Sequence, residues 1–444
     1  MAKKTKKIQD YDRAYALLRH YVDFALRLSY RNIEYRGVES LPTDGAIIFA
    51  PNHTNALMDA LVILAMDRRP KVFVARADIF RNPMLAKIFG FLKIMPIMRM
   101  RDGIDEVRKN NKTIEKSVDV LRDKVPFCIF PEGTHQAKYS LQMLSKGVFR
   151  IALQAQELMP DVPLYIVPVG MRYGNFFRFR STVRVQMGTP INVGEYIAEH
   201  PDQQPAERMN ALRTLLTERI KESIFYIPND EDYDATYEIC AAVAKPLERE
   251  LEGKRGGKRI SSLDAHFEAN NLTVSQLQEM KEAEPERAAE LLALGNEAHK
   301  LRNKHRVSMS SVSVKYPFWS RLLKALFLVA TMGYWIPVSL LTLPINALCA
   351  FAFTLIKDMA FRNSVRFVVN LVLWPLLMIV YGVLLLVFLP WQWALLAIVA
   401  LLPAPVVAHE VYRLWRLIGS DVRFLGQKRL RNIYKEIREK MLNK

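Results

Sequence analysis

Cysteine is scarce in this chain of 444 residues, and its three copies, Cys128, Cys240 and Cys349, are scattered without pair spacing. That pattern argues against a disulfide framework and against a zinc site. The sequence also lacks a Gly-x-Ser-x-Gly segment, the turn that exposes a serine nucleophile in many hydrolases. Because no cysteine has a triad-like context either, chemistry through a covalent Ser or Cys intermediate is not predicted, and neither is a metal or redox cofactor.

The first residues lack the apolar core of a secretory signal, since a basic stretch at 1–7 leads directly into a charged segment. We therefore expect the region of the chain that carries the chemistry to remain cytoplasmic. Between Asp10 and Leu28, apolar residues recur at helical spacing and alternate with basic ones. This predicts an amphipathic helix that either packs on the following domain or lies in a membrane interface.

Acidic residues are outnumbered, because 63 Lys and Arg face 45 Asp and Glu and leave a formal net charge of +18. Such a charge suits nucleic acid, an anionic membrane surface or an acidic substrate. The apolar composition of the last third favours the membrane. We therefore expect membrane lipids as partners and no nucleic acid.

Two long apolar runs occupy 325–356 and 367–411. The second is long enough for two helices of about 20 residues each. The first contains Pro337 and Pro344, and it predicts either one tilted span or a short hairpin. Basic residues precede, separate and follow the runs, which by the positive-inside rule favours two hairpins with all three basic segments in the cytoplasm. Ionisable residues are nearly absent within the runs, which disfavours a transporter.

Strand-like and helix-like segments alternate through the first half of the chain. This order predicts an α/β fold, with a mostly parallel sheet flanked by helices and a site at the strand ends. The predicted strands are 45–51, 71–75, 93–98, 125–130, 163–169 and 183–187, and the predicted helices are 56–66, 83–91, 103–124 and 146–157.

His53 and Asp59 follow the first of these strands. A histidine can act as a general base at neutral pH, and a nearby carboxylate can fix its tautomer and stabilise the imidazolium. On a continuous helix, five intervening residues would place the two about 240° apart around the axis. We therefore expect His53 to lie in the loop before the helix.

The tetrapeptide Phe130-Pro131-Glu132-Gly133 ends another predicted strand. Pro131 terminates the strand, and Gly133 allows the backbone to approach a ligand closely. We expect Glu132 to reach into the cleft.

The segments 52–59, 93–99, 130–134 and 165–170 occur in the order of the four motifs of glycerolipid acyltransferases, and the chain resembles that family over residues 30–225. The five residues between His53 and Asp59 resemble the fungal-type glycerol-3-phosphate acyltransferase branch, whereas most of the family has four. His135 stands where many relatives carry arginine, which leaves phosphate recognition at that position open.

The resemblance implies direct transfer of a fatty acyl group from acyl-CoA or acyl carrier protein, assisted by His53 and Asp59. It implies glycerol 3-phosphate as the acceptor, with 1-acylglycerol 3-phosphate or an amino-acid lipid as alternative acceptors. A non-catalytic lipid-binding role is the alternative function. Pro168 and Gly170 are expected in the acyl-donor pocket. The residues expected to bind the acceptor are Arg99, Arg101, Glu132, Gly133, Thr134 and Lys146.

The predicted organisation has five parts. An amphipathic helix over 1–29 precedes the acyltransferase domain over 30–225. A charged helical linker follows over 226–315, in which 272–275 is expected to cap a helix over 276–300. A transmembrane region of two hairpins spans 316–412, and a basic cytoplasmic tail spans 413–444.

Overall fold

A computed structural model describes residues 7–98, 110–254, 260–313, 317–356 and 358–442. Its chain divides into two compact units. The first comprises Met1–Ile224 with Ile356–Phe367, and the second comprises Phe225–Leu355 with Val368–Lys444. Arg99 and Arg101 lie outside the described residues. The segment Ile356–Phe367, which the sequence pattern places between the two apolar runs, thus belongs to the first unit.

Within the described part of the first unit, eight strands form one sheet in the order β1-β7-β6-β2-β5-β3-β4, with β8 paired to β6. The strands pair in parallel except at β6–β7 and β6–β8, so the predicted mostly parallel sheet is confirmed. The strands are β1 Tyr30–Arg36, β2 Ala46–Pro51, β3 Val72–Arg76, β4 Ile94–Ile97, β5 Phe127–Cys128, β6 Leu164–Tyr173, β7 Ser181–Met187 and β8 Ile191–Asn192.

The helices predicted over 10–28, 56–66, 83–91 and 146–157 are found to within a few residues, and the first part of the one predicted over 103–124 lies outside the described residues. The helices over 193–199 and 205–223 were not predicted. The sequence did not predict β1, because its residues are mostly polar and only Tyr30 is buried at this edge of the sheet. It also ended β6 four residues too early. The helices are α1 Arg13–Ser29, α2 Leu57–Leu64, α3 Pro83–Phe91, α4 Asn110–Arg122, α5 Gly147–Leu158, α6 Val193–Glu199 and α7 Pro205–Ser223.

The central strand β2 positions the loop that follows it. All six of its residues are buried, as expected for a strand covered on both faces. Beyond its end, the Asn52 side chain exchanges two hydrogen bonds with the Met171 backbone, at 3.1 and 2.6 Å. This amide replaces a strand pairing, so the loop after β2 starts from a fixed position.

Helix α1 is attached to the domain through its buried Arg19, whose guanidinium donates to backbone carbonyls at the end of α2 and just after it, including Leu64 at 2.5 Å and Arg69 at 2.7 Å. On its other side, large apolar residues at helical spacing are exposed, among them Leu17, Tyr21, Phe24 and Leu28. The helix therefore both packs on the domain and presents an apolar stripe outward.

The second unit is helical. Its helices are α8 Tyr233–Lys254, α9 Ser262–Ala283, α10 Pro285–Lys304, α11 Met309–Val312, α12 Pro317–Ala330, α13 Met332–Leu341, α14 Leu343–Leu355, α15 Phe361–Phe388, α16 Trp391–Leu401, α17 Ala404–Gly426 and α18 Lys428–Leu442, of which α15 begins within the first unit.

The helix start predicted at 272–275 is wrong, because α9 runs through it. The Thr273 hydroxyl donates to the Ala269 carbonyl at 2.8 Å instead of capping a helix. The interruption comes at Glu284, where Pro285 starts the next helix with its fixed φ and absent N–H.

Of the described helices, α15 is long and apolar enough to cross a membrane by itself. The pair α12 and α13 is bent by 75°, and the pair α16 and α17 by 51°. If each bent pair counts as one span, up to three spans are available by length and composition. Pro337 lies inside α13, and the first apolar run is divided among three short helices.

Candidate active site

His53 and Asp59 meet across the turn between β2 and α2. The helix begins at Leu57, so His53 lies in the preceding loop, where the six-residue offset can close. Ala56 adopts a positive φ of 45° just before the helix, a conformation rare for a residue with a Cβ. The turn brings His53 Nδ1 to 2.8 Å from Asp59 Oδ2.

Asp59 is fully buried and surrounded by donors. Its Oδ2 also accepts the backbone N–H groups of Thr54 at 2.8 Å and Asn55 at 2.7 Å. Its Oδ1 accepts the Tyr173 hydroxyl at 2.6 Å. The first turn of α2 adds a favourable helix dipole. These contacts hold an ionised carboxylate in one orientation.

A carboxylate can only accept hydrogen bonds, so we assign the imidazole hydrogen of His53 to Nδ1. Nε2 is then the basic nitrogen. The ring stacks on Phe130, with centroids 4.2 Å apart and planes at 26°, and the His135 ring meets it edge-on at 5.5 Å. The side chain remains 16% exposed. The site can therefore take a proton from a group that approaches from the open side.

Glu132 connects two loops. One carboxylate oxygen accepts the His53 backbone N–H at 2.6 Å, and the other accepts the Gln142 N–H at 2.9 Å. Burial raises the pKa of this carboxyl to about 7, although the Gln142 and His53 N–H groups act to lower it. The Glu132 side chain is 6% exposed and is held between backbone N–H groups, so it fixes the position of the loop that carries His53.

Gly133 and Thr134 form the exposed side of this turn. Gly133 has a φ of +66°, which favours glycine, and a Cβ there would have open space within 4 Å. Thr134 is exposed, and its carbonyl accepts the Gln142 side-chain amide at 3.2 Å. The backbone is therefore accessible at Gly133, and the expected role of Gly133 and Thr134 in acceptor binding stays a prediction.

Lys146 is exposed immediately before α5. A Cβ on the adjacent Gly147 would lie 3.7 Å from Ile97 Cδ1 at the end of β4. Gly147, the residue after Lys146, therefore lies beside the end of β4, and the expected role of Lys146 in acceptor binding stays a prediction.

Pro168 and Gly170 lie inside β6, both buried. A Cβ on Gly170 would approach the Ser223 carbonyl oxygen to 2.1 Å, and a Cβ on Gly188 would lie 3.2 Å from Pro168 Cβ. The close approach of the end of α7 thus explains the glycine at 170. The expected role of these two residues in donor binding stays a prediction.

Sequence reasoning missed Tyr173, Tyr30, Asp358 and Asn363. Tyr173 ends β6, and the apolar pattern extended to it would have been the signal. Tyr30 opens the polar edge strand β1, and its hydroxyl accepts the Asn363 side-chain amide at 3.3 Å. Asp358 Oδ2 lies 2.7 Å from His135 Nε2. Nothing local in the sequence links residues so far apart.

A family model described as Acyltransferase matches residues 32–172, the range that holds His53, Asp59, Glu132 and Gly133. Residues 32–172 form an acyltransferase domain. The family resemblance read from the four motifs is thereby confirmed.

Relatives support this assignment of the acyltransferase domain. The Saccharomyces cerevisiae protein named glycerol-3-phosphate O-acyltransferase 2 is 32% identical over 134 residues, which cover 30% of this chain and 18% of the yeast protein. The Borreliella burgdorferi 1-acyl-sn-glycerol-3-phosphate acyltransferase is 24% identical over 152 residues, 34% of this chain and 58% of that protein. The chain thus spans less than two thirds of the length of these curated relatives.

Among solved structures, the 1-acyl-sn-glycerophosphate acyltransferase of Thermotoga maritima aligns with 48% of this chain and 83% of its own. The sequence identity is 18% and the TM-score is 0.34.

Proposed function

We propose that this protein is a membrane-bound O-acyltransferase that transfers a fatty acyl group from a thioester, acyl-CoA or acyl carrier protein, to glycerol 3-phosphate in phospholipid synthesis. The observation that carries the proposal is the His53–Asp59 pair. It is buried on the Asp side, open on the Nε2 side, and located in an acyltransferase domain.

The reaction needs one base and one leaving group. His53 Nε2 takes the proton from the acceptor hydroxyl as its oxygen attacks the thioester carbonyl carbon. The tetrahedral intermediate collapses with cleavage of the C–S bond, and the imidazolium returns the proton to the departing thiolate. Asp59 stabilises the imidazolium in between, so the products are an ester and a free thiol without an acyl-enzyme. Backbone N–H groups or a basic side chain stabilise the oxyanion.

Glycerol 3-phosphate is the favoured acceptor because the yeast relative carries that name and because five residues separate His53 from Asp59. Its phosphate would be met by the exposed Lys146 and by Arg99 and Arg101, while Gly133 and Thr134 contact the glycerol unit. A second candidate acceptor is 1-acylglycerol 3-phosphate, which the name of the Borreliella relative favours.

The catalytic domain is proposed to face the cytoplasm at a membrane surface. The outward apolar stripe of α1 suits an interface, and α15 is long enough to cross. The membership of Ile356–Phe367 in the catalytic unit supports a link between the two apolar runs on the same side of the membrane as the active site. This agrees with two hairpins that leave and return. Thiol labelling in sealed vesicles of a cysteine introduced at Met359 tests this topology. A cysteine that is accessible only from the side of the membrane opposite to the C-terminus would contradict it.

The central experiment uses the full chain in lipid with a labelled acyl thioester and each acceptor in turn, including an amino-acid lipid. His53→Ala should lower kcat by at least about 100-fold, the usual lower value for a positioned general base. His200→Ala is the matched control, because that ring bonds to the Tyr196 carbonyl. Turnover that survives His53→Ala would sink the mechanism. No turnover on any acceptor would favour a lipid-binding module.

A further inference from the structure

The segment Ile356–Phe367 lies more than 130 residues beyond the rest of the catalytic unit, yet it contacts the site at two points. It joins α14 to α15, the helix able to cross a membrane. One contact leads to Asp59 and the other to His135. Both use polar side chains where plain packing would need only apolar ones.

The first contact is a buried relay of hydrogen bonds. The Asn363 amide donates to the Tyr30 hydroxyl at 3.3 Å, the hydroxyls of Tyr30 and Tyr173 are hydrogen-bonded, and Tyr173 donates to Asp59 at 2.6 Å. The amide nitrogen can only donate and the carboxylate can only accept, so both hydroxyl hydrogens point toward Asp59. Asn363 is 2% exposed.

Both tyrosines stay protonated along this relay. Burial raises the pKa of Tyr30 and of Tyr173 above the ordinary range, and the negative charge of Asp59 raises both further. A phenol that cannot ionise is a dependable donor. The relay therefore has one direction, and removing its first donor leaves the next hydroxyl free to rotate.

The second contact holds the neighbouring imidazole. Asp358 Oδ2 is 2.7 Å from His135 Nε2, and the backbone N–H of Ala360 donates to the other carboxylate oxygen at 2.9 Å. Phe361 meets the His135 ring edge-on, with centroids 5.2 Å apart. His135 is thus fixed between this segment and the edge of the His53 ring.

We propose that Asn363 and Asp358 are positioning residues of the acyltransferase site. Asn363 orders Asp59 through Tyr30 and Tyr173, and Asp358 orders His135 beside His53. The inference rests on the proposed function. It means that residues between α14 and the first turn of α15 complete the hydrogen bonding around the catalytic pair.

The decisive experiment is a double-mutant cycle in the full chain. Asn363→Leu keeps the side-chain size and removes the donor, and Tyr30→Phe keeps the ring and removes the hydroxyl. Each should lower kcat by about tenfold, the cost of one lost buried hydrogen bond, with an unchanged KM for the thioester. The double variant should be no slower than Tyr30→Phe alone, because both act through one hydroxyl.

Ser364→Ala is the matched control. Its hydroxyl is buried one residue away on the same helix and has no hydrogen-bond partner among the described residues, so kcat should not change. Multiplied losses in the double variant, or an Asn363→Leu enzyme as fast as Ser364→Ala, would overturn the relay. If Asn363→Leu melts early, Tyr30→Phe against Ser364→Ala decides the matter.

The Asp358 contact is tested by Asp358→Ala against Met359→Ala, an exposed neighbour. The first should lower kcat by about threefold or more, given one charge-assisted hydrogen bond partly open to water, and the second should not. A higher KM for glycerol 3-phosphate with kcat unchanged would assign the His135–Asp358 pair to acceptor binding and overturn the positioning role.

The two levels of proposal fail differently. If the unaltered protein turns over none of the acceptors, the proposed function is refuted, and there is no catalytic pair for these residues to position. Turnover that depends on His53 but not on Asn363, Tyr30 or Asp358 refutes only the inference.

Discussion

Asp59 and Glu238 are fully buried carboxylates, one in each unit, that differ in the chemistry of their partners. Asp59 accepts from backbone N–H groups, a tyrosine and the imidazole of His53. Glu238 in α8 accepts from Arg302 at 2.6 Å and from Tyr434 at 2.7 Å. The ionisable group hydrogen-bonded to Asp59 is an imidazole, whereas the one hydrogen-bonded to Glu238 is a guanidinium. His299 Nδ1 lies farther from Glu238 Oε1, at 3.4 Å.

The difference teaches what distinguishes a reactive acid from a structural one. Through Glu238, Arg302 ties α10 to α8 and Tyr434 ties α18 to α8. In the proposed mechanism, His53 becomes charged as it takes the proton of the acceptor, and Asp59 stabilises that state. Both acids are buried and hydrogen-bonded; what separates them is whether the bonded ionisable group is an imidazole or a guanidinium.

The largest expected effect is on catalysis at Asp59. Asp59→Asn keeps the size but can present its amide N–H to His53, which favours the wrong tautomer and leaves the imidazolium uncompensated. We expect kcat to fall by about 100- to 10,000-fold, the span of general acid–base catalysis. Steady-state turnover with a labelled thioester measures it. A near-normal kcat in Asp59→Asn would refute the catalytic role of Asp59 and with it the proposed difference from Glu238.

Glu238→Gln should act on stability instead. Breaking a buried ion pair leaves Arg302 without its charge partner, and we expect about 3 to 5 kcal/mol less free energy of unfolding. Thermal melting in detergent gives this shift, and turnover per folded molecule should stay normal. If kcat falls as far as in Asp59→Asn, the distinction between the two acids does not hold.

Glu132 sharpens the comparison, because it is a buried acid held by two backbone N–H groups without a cation. Its pKa in the folded protein, about 7, exceeds the ordinary value of 4.5, so the folded state binds more protons between those values. The free energy of unfolding should therefore fall as pH rises from about 4.5 to 7, by up to about 3 kcal/mol, and level off above.

Denaturation at pH 5 and pH 8 tests this sign against Glu132→Gln, which has no carboxyl to titrate. The pH-dependent loss in the unaltered protein should exceed that in the variant. A loss of equal size in both would mean that Glu132 contributes nothing to it.

The smallest effect concerns Gly170, where the reason is steric. Gly170→Ala places a Cβ against the Ser223 carbonyl, and overpacking of this kind costs about 1 to 3 kcal/mol. Gly253→Ala is the control, since nothing lies within 4 Å of a Cβ there. If Gly170→Ala melts at the same temperature as Gly253→Ala, the end of α7 moves to accommodate the Cβ without a measurable loss of stability.

Much of the fold could be predicted because its signals are local. The apolar stretches of β2, β3 and β6 and the helical spacing of α3 and α5 gave their positions to within a few residues. Where apolar patterning was weak, as in β1, prediction failed. At 272–275, residues typical of a cap sit inside α9, because Thr273 can bond back to the preceding turn.

The site divides along the same line. His53 and Asp59 are six residues apart, and a strand followed by a helix leaves few ways to arrange them, so the sequence by itself was enough to determine the proposed catalytic pair and the motif around Glu132. Tyr173 lies 114 residues from Asp59, and Asn363 lies 333 from Tyr30. Only the strand order, which puts β6 beside β2 and β1 near both through β7, and the return of Ile356–Phe367 to this unit bring them together. Such contacts depend on long-range packing, which short-range patterns of polarity do not encode.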